Sequence, residues 1–149
     1  MAKDNPDSRR QARKRALQIL YGIHFATVDS LHELMTAYKD SPAIESAEDE
    51  PKGYAWDLVR GVWEKQKAID ARIQALSRHW RLERMGYIER TLLRLSFYEL
   101  FYTDIPPRVI LAETLELGAS FAEAPAKKFI AGMIEAAIRD RENSRADER

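Results

Sequence analysis

The chain has 149 residues, 45% hydrophobic and 32% charged, with 24 basic residues balancing 24 acidic ones and no cysteine. That is the length of one ordinary domain; it excludes a disulfide framework, thiolate metal sites and a cysteine nucleophile, and the apolar content excludes a disordered composition. No apolar run approaches the roughly 20 residues of a membrane helix, and Met1–Pro6 lacks the apolar stretch of a signal peptide, so no membrane role and a cytoplasmic location are the default expectations.

Taken in chain order, the patterning predicts an all-α protein. Helices are expected at about 8–26, 30–38, 52–77, 84–102, 107–121 and 125–141. Ser8-Arg9-Arg10-Gln11 and Ser30-Leu31-His32-Glu33 read as capping boxes, in which Ser covers a free amide and Gln or Glu reaches back. Pro51, Pro106, Pro107 and Pro125 sit where a first helical turn tolerates a missing N–H. In the first helix Ala12, Ala16, Ile19, Leu20 and Ile23 form one stripe at 3.6 spacing. In the third, Val59, Val62, Trp63, Ile69, Ile73 and Leu76 do the same, interrupted by Gln66. The fourth, from Ile88 to Tyr102, is apolar around nearly its whole circumference, so it is expected to be central. Residues 40–52 form an acidic, proline-bracketed linker. Short connections elsewhere imply antiparallel neighbours in two three-helix sub-bundles, about 8–77 and 84–141, within one domain spanning 8–141. Residues 1–7 and 142–149 are expected to be flexible termini. Gly118 and Gly132 suggest close helix contact.

Three constellations bear on chemistry. Residues 1–25 carry six Lys or Arg against two Asp, although the whole chain is neutral. Within that stretch Arg9-Arg10-Gln11-Ala12-Arg13-Lys14-Arg15 crowds cations at a helix N-terminus, where the macrodipole disfavours them by roughly 0.3–1 kcal/mol each. On a helical wheel Arg10, Arg13, Lys14, Leu17 and Tyr21 share a face beside the apolar stripe, and Arg9 is expected to project past the bundle. Guanidinium groups grip phosphates and stack on bases, and a tyrosine adds a stacking surface; the competing reading is a solvated basic face. Lys127-Lys128-Phe129 joins two lysines to a helix start whose free amides favour anions, with Phe129 equally readable as core. Glu99, among apolar neighbours, must be satisfied. It reads as a cap on the helix after Pro107 rather than as a general base, because no second catalytic group accompanies it. The histidines, His24, His32 and His79, lack metal-ligand spacing: His32-Glu33 is followed by Thr36 where a zinc motif needs histidine. No glycine-rich phosphate loop exists, so neither a cofactor nor a metal is expected.

The order of these pieces resembles the NusB family of bacterial transcription antitermination factors. The residues carrying the resemblance are Arg9 through Tyr21; Trp80 leading to Ile88-Glu89-Arg90-Thr91-Leu92-Leu93-Arg94-Leu95-Ser96-Phe97-Tyr98-Glu99-Leu100; Asp104-Ile105-Pro106 with Glu113; and Lys128-Phe129-Ile130-Ala131-Gly132. The resemblance implies a fold of two three-helix sub-bundles, binding of a boxA-type single-stranded RNA, a heterodimer with the small-subunit ribosomal protein called NusE in this role, and a place in the RNA polymerase antitermination complex. It puts RNA contacts on Arg9, Arg10, Arg13, Lys128 and Phe129, beside Lys127, and partner contacts on Tyr21 and Glu89. Ala112 and Ala131 stand where the family usually has asparagine, and Ala124-Pro125-Ala126 where an acidic residue and serine are common. These changes remove hydrogen-bonding groups from the presumed RNA end.

The leading expectation is therefore a non-catalytic factor that binds RNA and protein. The alternative is a protein-interaction module, homodimeric and with RNA binding weakened or lost, which the missing asparagines would suit. The RNA-recognition domain of an rRNA methyltransferase would need a nucleotide-binding domain that these 149 residues do not hold. A helical hydrolase would need a matched nucleophile, base or metal cluster.

Overall fold

The computed structural model describes residues 6–44, 51–77, 82–121 and 123–147, and among them every regular element is helical. In chain order these are α1 (Pro6–Ile23), α2 (Leu31–Asp40), α3 (Gly53–Leu76), a 3-10 turn (Leu82–Arg84), α4 (Tyr87–Tyr102), α5 (Pro107–Ala119) and α6 (Ala124–Asp147). His79, Trp80, residues 45–50 of the acidic linker and the extreme termini lie outside the described residues. Two units divide the chain, Met1–Glu64 and Lys65–Arg149. The change-over falls inside α3, whereas the pattern of apolar residues assigned all of α3 to the first bundle.

In the first unit, α1 starts at Pro6, two residues before Ser8, because proline at a first helical position gives up no amide that the helix needs. Its stripe is buried as expected at Ala12, Ala16, Ile19 and Leu20, and Leu17 joins it. At α2 the serine half of the expected box forms, Ser30 Oγ accepting from the Glu33 amide at 3.1 Å, while the Glu33 carboxylate reaches one residue past the cap and accepts from the Asp29 amide at 2.9 Å. Tyr38 on α2 and Trp56 on α3 meet edge to face at 5.2 Å, a favoured aromatic geometry. Burial raises the Tyr38 phenol above its ordinary pKa, with Arg15 opposing and Asp57 reinforcing the shift. Gly53 opens α3 at φ 87°, a left-handed conformation that side chains avoid.

In the second unit, α4 packs against both α5 and α6. Every residue from Thr91 to Phe97 is buried, together with Glu99 and Leu100. This is the central helix that its all-round apolarity predicts. Arg94 lies inside that core and makes a two-pronged pair with Asp70 on α3, Nε to Oδ1 at 2.7 Å and Nη2 to Oδ2 at 2.8 Å. Arg72 on α3 reaches Asp140 on α6 at 3.3 Å and covers the Phe101 ring at 4.0 Å. These contacts tie the last turns of α3 to the second unit. The Thr103 hydroxyl ends α4 by donating to the Glu99 carbonyl at 2.6 Å, and Pro107 at the first position starts α5.

Two expectations need correction. The tail does not stop at 141. α6 continues to Asp147, because 142–147 holds neither glycine nor proline and helix propagation needs only one more bond per residue. Nor are Gly118 and Gly132 points of close approach. A side-chain carbon at Gly118 would meet Leu92 at an ordinary 3.6 Å, and one at Gly132 would meet nothing within 4 Å.

Candidate nucleic-acid interface

On α1 the basic run divides by face. Arg10, Lys14 and Arg15 are exposed, while Arg13 is only 4% exposed. The reason is angular: Arg13 and Leu17 differ by about 40° on the wheel, so both turn inward, and the long arginine stem accepts burial. The expected shared face is thus split, with Arg10, Lys14 and Tyr21 outside and Arg13 and Leu17 inside. Arg9 also departs from expectation. Instead of projecting past the bundle it is half-buried, its Cζ 4.9 Å from the centroid of the Tyr54 ring, which Arg13 approaches at 5.9 Å. Tyr54, in the first turn of α3, was not singled out by the sequence. Its signal, an aromatic residue at a helix start, is too common to select it. At the other end of α1, Tyr21 meets Phe25 edge to face at 5.4 Å. Phe25 is 65% exposed, a second residue that the periodicity passed over.

In the second unit, the start of α6 carries Lys127 half-buried, Lys128 exposed and Phe129 half-buried. The Lys127 amide donates to the Glu123 carbonyl at 3.0 Å, closing the first turn. Phe129 lines a cavity of about 250 Å³ with Arg84, Met85, Glu89, Pro125 and Ala126. Glu89 is half-buried. Its carboxylate turns back over Gly86, so closely that a side chain at Gly86 would collide with it. A carboxylate there faces the free amides that open α4, where negative charge is stabilising. The structure therefore brings Glu89 and Phe129 to the walls of one cavity, and it brings Arg9 and Arg13 to one ring.

Comparison with known proteins gives this arrangement a context. The sequence model of the NusB family matches residues 10–139. The chain belongs to the NusB family. It is 42% identical over 141 residues to the transcription antitermination protein NusB of Oleidesulfovibrio alaskensis, covering 93% of this chain and 92% of the relative. It is 39% identical over 131 residues to that of Myxococcus xanthus, covering 86% and 92%. Among solved structures, NusB of T. maritima superposes with a TM-score of 0.73 at 25% identity, covering 92% of this chain and 93% of that one. A crystal structure of antitermination factors NusB and NusE in complex with dsRNA gives the same TM-score, 0.73, at 26% identity, covering 91% and 99%. The solved NusB structures thus share the all-α fold of this chain. Among the described residues no three histidine or acidic side chains gather as a metal site, and no helix is long and apolar enough to cross a membrane.

Proposed function

We propose that this chain is a non-catalytic antitermination factor of the cytoplasm that binds boxA-type RNA together with NusE, within the RNA polymerase antitermination complex. The observation that carries the reading is the near-complete match to NusB proteins, including one crystallised with NusE and RNA. RNA contacts fall on Arg9 and Arg10 at the start of α1, with the buried Arg13 behind them, and on Lys127, Lys128 and Phe129 at the start of α6. Cations crowd the first helix start against its dipole, and the second offers amides and lysines to an anion; an RNA backbone would relieve the one and satisfy the other. Partner contacts fall on Tyr21, which leads into the exposed Phe25, and on Glu89.

The test is a titration of a boxA-like single strand and of its duplex, each with and without NusE. Binding should weaken with salt by about 0.7 log units per decade for each phosphate neutralised on a single strand. Glu89→Lys should weaken the NusE complex while the monomer stays folded, because reversing a charge at an interface adds repulsion. NusE binding with no RNA bound in any arm would leave a protein-interaction module instead.

A further inference from the structure

We infer that Arg84 is a further RNA-contacting residue. It stands on the wall of a cavity in the second unit; the cavity takes one unstacked base, and the Arg84 guanidinium meets the phosphate of that nucleotide. The inference rests on the RNA-binding reading above, and it adds a residue that lies in neither the basic run of α1 nor the start of α6.

The cavity is built from two short stretches. Arg84, Met85 and Glu89 come from the turn before α4 and from its first turn, and Pro125, Ala126 and Phe129 from the first turns of α6; together they line about 250 Å³. Residues three and four apart on a helix lie side by side, which brings Pro125 and Ala126 next to Phe129. Met85, Pro125, Ala126 and Phe129 make the wall apolar, and Arg84 and Glu89 add one charge of each sign. Ligand sites combine an apolar lining with a few charged groups that fix orientation. The volume is just under the roughly 300 Å³ at which drug-sized sites begin, so it suits one flat ring rather than a longer ligand.

The backbone under Arg84 is fixed while its side chain is not engaged. The Leu82 amide donates to Gln74 Oε1 at 2.9 Å, the Met85 amide to the Leu82 carbonyl at 3.1 Å, and Arg90 Nη2 to the Met85 carbonyl at 3.1 Å. Met85 is buried and its neighbour Arg84 is exposed. No hydrogen bond or ion pair holds the Arg84 guanidinium, and none joins it to Glu89, among the described residues. A nucleotide answers both parts of this arrangement. Its phosphate matches a guanidinium, which can give it two parallel hydrogen bonds, and an unpaired base is taken up against aromatic and apolar side chains. An aliphatic side chain of a partner would fill the hollow and leave Arg84 without an anion; an acidic one would meet Arg84 and leave the hollow empty. Lys127 and Lys128 alternate with the cavity residues along the same turns of α6, so the phosphates flanking the base would meet cations of the same RNA surface.

The experiment compares the full chain with Arg84→Ala, Phe129→Leu and the double variant. Each is titrated over a range of salt concentrations with a boxA-like single strand, and with a series of that strand made abasic at one position at a time. Affinity for NusE is measured separately, without RNA, and circular dichroism checks folding. Arg84→Ala should bind the strand about tenfold more weakly, with a salt slope shallower by about 0.7. Phe129→Leu, which keeps an apolar wall and gives up the ring, should lose about fivefold with the slope unchanged. One abasic position should cost the unaltered protein a similar loss and cost Phe129→Leu nothing more, which identifies the base in the cavity. NusE affinity should stay the same in both single variants. Unchanged RNA affinity and slope in Arg84→Ala overturn the inference, as does a series in which Phe129→Leu leaves the effect of every abasic position intact. Weaker NusE binding with RNA binding intact also overturns it, and gives the cavity to the protein partner. If Phe129→Leu fails to fold, Arg84→Ala carries the test, since an exposed side chain is removed without touching the core. Absence of RNA binding by the unaltered protein removes the RNA reading and this inference together, whereas RNA binding indifferent to Arg84 removes this inference alone.

Discussion

Among the described residues Arg13 in the first unit and Arg94 and Arg141 in the second are buried, and the first two stand beside different chemistry. Arg94 in the second unit is 7% exposed and clasps Asp70 through two parallel hydrogen bonds. Arg13 in the first unit is equally hidden, and its guanidinium lies 5.9 Å from the Tyr54 centroid beside that of Arg9. A carboxylate takes a guanidinium by its edge and cancels its charge. A ring attracts a guanidinium without neutralising it. The first arrangement suits a side chain that holds helices together.

The sharpest way to break this contrast is Asp70→Ala. It takes the paired carboxylate from a buried cation and should cost about 3 kcal/mol in urea unfolding, with RNA affinity unaltered in the folded protein. A stability loss below about 1 kcal/mol, the range of exposed pairs, would show that Arg94 is not held by that carboxylate. Arg13→Met keeps the apolar stem and removes the charge. It should lower RNA affinity about five- to tenfold, in proportion to a lost cation–ring contact, while stability moves by less than about 1 kcal/mol. A large drop in stability with intact affinity would place Arg13 in the same class as Arg94. Lys128→Ala removes an exposed cation and should act almost entirely on the salt dependence, making the slope shallower by about 0.7 without shifting the melting temperature. The smallest effect belongs to Arg60, whose pair with Glu64 at 2.7 Å is exposed on both sides. Arg60→Ala should change stability by no more than about 0.5 kcal/mol, and less at high salt.

These contrasts were only partly legible in the sequence. The central position of α4 was legible, because a helix apolar on every side has nowhere else to go. So was the start of α2, where Ser30 and Glu33 do what their spacing predicts. The length of α6 was not: a polar tail reads as disorder, yet nothing in it stops a helix that is already nucleated. Nor was the fate of Arg13. The wheel places it at the border of the apolar stripe, and what lies on either side of that border, Tyr54 of α3 among it, is brought by other helices. Pairings such as Arg94 with Asp70, 24 residues apart, follow from how helices pack and leave no local signature. A basic run, a helix start and a family resemblance say which side chains are charged, not which are held, or by what. Glu89 shows the same limit, since its turn back over Gly86 depends on a rotamer.

The continuation of α6 has a consequence for how its backbone exchanges hydrogen with solvent. Ile130, Ile134, Ala137 and Ile138 are buried, whereas Glu142 to Arg145 are exposed. The six residues after Arg141 add about 9 Å of helix, at 1.5 Å per residue, and the side chains from Glu142 to Arg145 lie out in solvent. Those amides open by fraying, at almost no free-energy cost, while the amides near Ile134 open only with the core. One helix should therefore display two protection regimes, and the border between them, close to Arg141, marks where tertiary packing ends and the hydrogen-bonded coil stands on its own propensity.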